Sequence, residues 1–93
     1  MPFKDVTTKE LADQLGIDVE EVKQKQRLIG QIVKARKAKR MSQAALAKKV
    51  GVTQSRVAQI ESGVGTAKVT FDVLFGVLNA LGFTVKVQLK KTA

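Results

Sequence analysis

The stretch Ser42–Gly63, SQAALAKKVGVTQSRVAQIESG, constrains the fold of this chain more than any other. It reads as two short helices joined by one tight turn. Ser42 is suited to cap the first, and Gln43–Val50 places Leu46, Ala47 and Val50 on one helical face. Gly51 supplies the stop, because a left-handed residue is least strained without a Cβ. Thr53 caps a second helix, Gln54–Ser62, with Val57 and Ile60 facing inward, and Gly63 ends it. Ala47 is small where the two axes cross, and a large side chain there forces them apart. The outward face of the second helix is Gln54, Ser55, Arg56 and Gln59. It offers hydrogen-bonding groups and no carboxylate, which is what a helix needs to lie in the major groove of DNA.

The distribution of charge fits the same partner. The chain of 93 residues carries a formal charge of +9. Residues 1–26 hold six carboxylates against four lysines, a net −2, whereas residues 27–93 hold thirteen Lys and Arg against Glu61 and Asp72, a net +11. Such a basic body is drawn to phosphate before any specificity is considered. The chain has no cysteine and no histidine, which excludes disulfides, thiol nucleophiles, Cys/His zinc sites and Ser-His-Asp chemistry. Its carboxylates do not cluster as a metal site or a general base would. No enzymatic activity, cofactor or metal is therefore expected. No apolar run approaches the roughly 18 residues of a membrane span. The start, MPFKDVTTKE, lacks the apolar core of a signal peptide, so the expected location is the cytoplasm, with nucleoid association when bound to DNA.

Along the chain, Thr7 and Glu10 fit a capping box opening a short helix with Leu11, Ala12 and Leu15 on one side and Gly16 as its stop. Asp18 and Glu21 form a second box. A helix from Val19 to about Lys39 follows, with Val22, Ile29, Ile32, Val33 and Arg36 at helical spacing and a break allowed near Gln26. Leu11–Gln24 matches Leu46–Gln59 at five positions, which either a degenerate copy of the two-helix unit or generic helical patterning explains. Asp18, Glu20 and Glu21 would repel phosphate from any reading face on the first copy. Val64–Val69 reads as a loop. Thr70 then caps a helix, Phe71–Leu81, with Phe71, Leu74, Phe75, Leu78 and Leu81 on one face and Val73, Val77 and Ala80 as a second strip. Gly82 ends it.

Gln43, Ala47, Gly51, Val57, Ile60 and the closing Glu61-Ser62-Gly63 together resemble the helix-turn-helix of the Cro/C1-type (XRE) repressor family over about Leu28 to Gly82. The resemblance implies a mainly α, lambda-repressor-like bundle, here of about five helices. It also implies a structural ion pair between Arg36 and Glu61, joining the entry helix to the recognition helix. Arg40 stands where relatives commonly have glycine. Lys37, Lys39 and Arg40 are read as facing solvent or the DNA backbone.

Phe83, Val85, Val87 and Leu89 alternate with Thr84, Lys86, Gln88 and Lys90, a strict period of two that predicts a strand. Nothing else in the chain reads as a strand. A lone one leaves its backbone groups unpaired, so pairing with the same strand of a second copy across a two-fold axis is expected, or with a strand of another protein as the alternative. The expected divisions are an acidic N-terminal helical arm (1–26), the helix-turn-helix domain (27–82) and a C-terminal dimerisation strand and tail (83–93). Gln54 and Gln59 are expected to read base edges, with Ser55 and Arg56 supplementing them. Gln43, Thr53, Ser62 and Lys68 are expected at phosphates. A terminal strand after the last helix resembles antitoxins of the HigA and HipB type, which implies a homodimeric repressor of its own toxin–antitoxin operon with a toxin as possible partner. The alternative is a free-standing plasmid- or phage-type regulator.

Overall fold

In a computed structural model that describes Gly16, residues 18–89 and Lys91, the chain forms four helices and one 3-10 turn. Helix α1 is Val19–Ala38, α2 is Gln43–Val50, α3 is Gln54–Ser62 and α4 is Phe71–Ala80. Each starts on a side-chain cap. Asp18 accepts hydrogen bonds from the backbone N–H groups of Glu20 and Glu21 at 3.0 and 3.2 Å. Ser42, Thr53 and Thr70 accept from Ala45, Arg56 and Val73 in the same way. These bonds satisfy N–H groups that a helix leaves without internal partners. The acidic first turn of α1 (Glu20, Glu21) and its basic last turn (Arg36, Lys37) also complement the helix dipole.

The turns are as informative as the helices. Gly51 and Gly63 take φ of 87° and 78°, the left-handed conformation that closes α2 and α3. At the end of α1 the same place is held by Arg40, with φ of 54°. Its N–H bonds the Lys37 carbonyl while the Met41 N–H bonds the Arg36 carbonyl, the double closure of a Schellman motif. A residue with a Cβ is strained there by roughly 1–2 kcal/mol, part of which glycine returns as chain entropy. Arg40→Gly is therefore expected to stabilise the fold by about 0.5–1 kcal/mol, read as a rise of about 2–8 °C in the thermal midpoint. A lower midpoint would show that the arginine makes contacts worth more than the strain.

The core is one cluster drawn from every helix. Ile29, Ile32 and Ala35 of α1 meet Leu46 and Ala47 of α2, Val57 and Ile60 of α3, Leu74, Val77 and Leu78 of α4, and Val69 and Leu81 beside them. Helix α1 packs on α3, α4 and the 3-10 turn, and α2 on α3 and α4. Phe71 and Phe75, one turn apart on α4, are half-buried with ring centroids 5.8 Å apart. Helix α1 continues unbroken past Gln26, so Glu20 and Glu21 share one helix with the basic residues from Arg27 to Lys37.

One expectation needs correction, and one lies partly outside the described residues. Of the about five helices expected, four lie among the described residues, and the short one expected after Thr7 lies outside them. Residues 83–89, expected as a strand, form none in the single chain described. The reason is physical: a strand needs a neighbour's backbone, and every other element among the described residues is helical with its own groups used internally. The Phe83 N–H closes α4 on the Leu78 carbonyl at 3.0 Å, and residues 84–89 continue without regular secondary structure. Val85 packs against the core, whereas Phe83, Val87 and Leu89 remain 46%, 72% and 96% exposed.

Candidate nucleic-acid interface

The interface is built on α2, its turn and α3. Gly51 and Val52 both donate their N–H groups to the Ala47 carbonyl, at 2.8 and 3.0 Å, which reverses the chain within three residues. Ala47 is buried in the shared core. Val57 and Ile60 hold the inner side of α3, at 2% and 3% exposure, which leaves the other side to solvent. Ser55, Gln59 and Ser62 lie on the middle of that outward face, with Gln54 and Arg56 flanking them.

The side chains on this face are partly organised already. Arg56 Nη1 donates to Gln59 Oε1 at 3.2 Å, pairing two of the expected base and phosphate contacts one turn apart. Gln54 and Ser55 are exposed. The Thr53 hydroxyl caps α3, and the Ser62 hydroxyl donates to the Gln59 carbonyl and accepts from the Val64 N–H. Lys68 is exposed in the 3-10 turn Thr66–Lys68 that follows α3. No carboxylate stands on the outward face of α3, and its only acid, Glu61, points into the protein.

Glu61 is the centre of a buried polar network. Arg36 Nε donates to Glu61 Oε2 at 2.6 Å and Nη2 to Oε1 at 2.8 Å, a bidentate pair between α1 and α3. The two side chains are 12% and 6% exposed. The third arm of the guanidinium, Nη1, donates to the Met41 carbonyl at 2.8 Å in the turn between α1 and α2. Gln43 Nε2 adds a bond to Glu61 Oε1 at 3.1 Å. Burial alone pushes the Glu61 carboxyl up, but hydrogen bonds from Arg36 and Gln43 and the charges of Arg36 and Lys37 outweigh it and hold the group below the ordinary carboxylate range. The same hydrogen bond raises the Arg36 guanidinium against the opposing effect of burial. The network therefore stays ionised and joins α1, α2 and α3 at one point.

Two features of this region are not in the sequence reading. Gln43, expected at a phosphate, is half-buried and spends one amide hydrogen on Glu61; the other is left to point away from it. Lys25, near the start of α1, is buried at 4% exposure. The signal for it was available, since Lys25 shares the register of Val22, Ile29 and Ile32 on the inner face. Among the described residues no group of His, Cys, Asp and Glu could hold a metal ion, and no helix is long and apolar enough to cross a membrane.

Residues 32–87, 56 of the 93, match a family model described as helix-turn-helix. No curated protein and no solved structure matches the chain.

Proposed function

The chain belongs to the Cro/C1-type (XRE) helix-turn-helix family of DNA-binding transcription regulators, and from that premise we propose that it acts as a homodimeric repressor on a palindromic operator. The observation that carries this reading is the outward face of α3, where Gln54 and Gln59 are exposed and no carboxylate opposes DNA. Amides of this kind pair bidentately with adenine, and Arg56 is placed to steady Gln59 or to reach a phosphate. Gln43, Thr53, Ser55, Ser62 and Lys68 supply the surrounding sugar-phosphate contacts. The Arg36–Glu61–Gln43 network holds the recognition helix at a defined angle to the elements that touch the backbone.

The proposed dimer rests on the C-terminal segment. Its exposed Phe83, Val87 and Leu89 form an apolar edge, and it borders a groove of about 480 Å³ lined by Leu28, Phe71, Phe75 and Val85 among others. Pairing of residues 83–89 with the same segment of a second copy covers that edge and supplies the missing ladder. Val87→Lys with Leu89→Lys is expected to weaken association at least about a hundredfold, since each apolar side chain is covered twice in a two-fold interface. Sedimentation of the wild type and the double variant checks it, and a monomeric wild type at micromolar concentration removes the pairing. Val85 is the wrong position for this test, because it packs against its own core.

Within this reading the chain serves as the antitoxin and autorepressor of a type II toxin–antitoxin operon, supported by the passage of α4 directly into an amphipathic tail. Isolation of the protein from its native host with a bound toxin supports that role. Recovery of a homodimer and DNA alone favours a free-standing regulator.

A further inference from the structure

Lys25 is buried where a hydrophobic residue would serve the core. It lies one helical turn from Ile29 on the inner face of α1, at 4% exposure. An ammonium in that setting needs partners, because its charge loses water. It has three. Lys25 Nζ donates to the Ala67 carbonyl at 3.2 Å, lies 5.3 Å from the centroid of the Phe71 ring, and is 3.7 Å from Glu21 Oε1. The first of these reaches across 42 positions of sequence into the 3-10 turn that leaves the recognition helix.

That turn would otherwise be loosely determined. Gly63 and Gly65, both left-handed, lie on either side of Val64, so the backbone there has other conformations open to it. The buried Thr66 hydroxyl ties the turn back to the Gly63 carbonyl, and Lys25 ties it to α1. The next residue after the tethered Ala67 is Lys68, an exposed cation. Resting on the DNA-binding reading above, we propose that Lys25 is a positioning residue for the DNA interface: its grip on the Ala67 carbonyl sets where Lys68 meets the phosphate backbone. Lys25 itself touches no DNA.

The test is the salt dependence of binding to the chain's own upstream region, measured for the wild type, Lys25→Met, Lys68→Ala and the double variant. Each phosphate contact contributes about 0.9 to the slope of log K against log salt, or roughly tenfold in affinity near 0.1 M. Lys68→Ala is expected to lower the slope by about 0.9, Lys25→Met to lower it by a similar amount, and the double variant to go no further than Lys68→Ala alone. Lys25→Arg, which keeps a charged donor, should restore part of the loss. Methionine keeps the apolar stem of Lys25 and removes only its ammonium. If Lys25→Met nonetheless loses its helical circular dichroism, Lys25→Gln is read in its place. An unchanged slope in the Lys25 variant beside a lowered one in Lys68→Ala, or additive losses, overturns the inference. An unchanged slope in Lys68→Ala overturns it too, while the DNA-binding reading itself is judged separately on Gln54 and Gln59.

Discussion

Glu61→Ala is expected to destabilise the fold by about 3–5 kcal/mol, because it strands the Arg36 guanidinium with one remaining partner in a site largely closed to water. That is a large share of the roughly 5–15 kcal/mol by which domains of this kind are stable. The thermal midpoint should fall by at least about 12 °C. Replacing both members, Arg36→Met with Glu61→Leu, should recover much of the loss, since a buried ion pair and an apolar pair of similar volume are often close in stability. A loss below about 1 kcal/mol for Glu61→Ala would mean that the pair behaves as a solvated surface contact.

Acid should probe the same network with a definite sign. The Glu61 carboxyl is held below its ordinary value in the folded protein. Its contribution to stability is thus fully present above the unfolded value of about 4.3 and disappears as pH falls through the lower folded value. Glu61→Gln removes that dependence, so its stability should vary less with pH below about 4 than that of the wild type.

The largest expected effect on binding comes from Gln54→Ala combined with Gln59→Ala. Each bidentate amide–adenine contact discriminates by about 1–3 kcal/mol, so the pair should lower specific affinity by at least about thirtyfold at fixed salt. Affinity for unrelated DNA should stay nearly constant, because the basic residues that supply it are untouched. Stability should also be little altered, since both side chains are exposed on α3. Equal losses on specific and unrelated DNA would remove these two residues from base reading.

The helices were legible because their limits are written locally. Ser42 and Gly51 bound α2, and Thr53 and Gly63 bound α3, each through one side-chain or backbone rule that needs no tertiary information. The same is true of Asp18 and Thr70. The tail is less legible for the opposite reason. Period-two alternation over residues 83–89 states which side chains share a face, but a strand is a relation between two backbones, and the described residues offer no second one.

The polar network is legible only in part: the family resemblance implies the Arg36–Glu61 pair, but no local rule does. Arg36 and Glu61 are 25 positions apart, and only the packing of α1 on α3 brings them together. The bond from Gln43 to Glu61 depends in turn on where α2 begins relative to the end of α3. Lys25 showed its register but not its partners, because Ala67 and Phe71 reach it from the far end of the domain. Arg40 could be seen as an oddity at a glycine position; that it adopts a positive φ to close a Schellman motif is visible only in the backbone.

The central claim is that α3 reads DNA sequence from a two-fold dimer. Titration and footprinting of the wild type on its own upstream region, beside a scrambled duplex of equal length at the same salt, test it most directly. The expected result is a preference of at least about a thousandfold and two protected half-sites about one helical turn, 10–10.5 base pairs, apart. Equal affinity for both duplexes with no discrete footprint would contradict it, leaving a basic domain that binds polyanions without reading them.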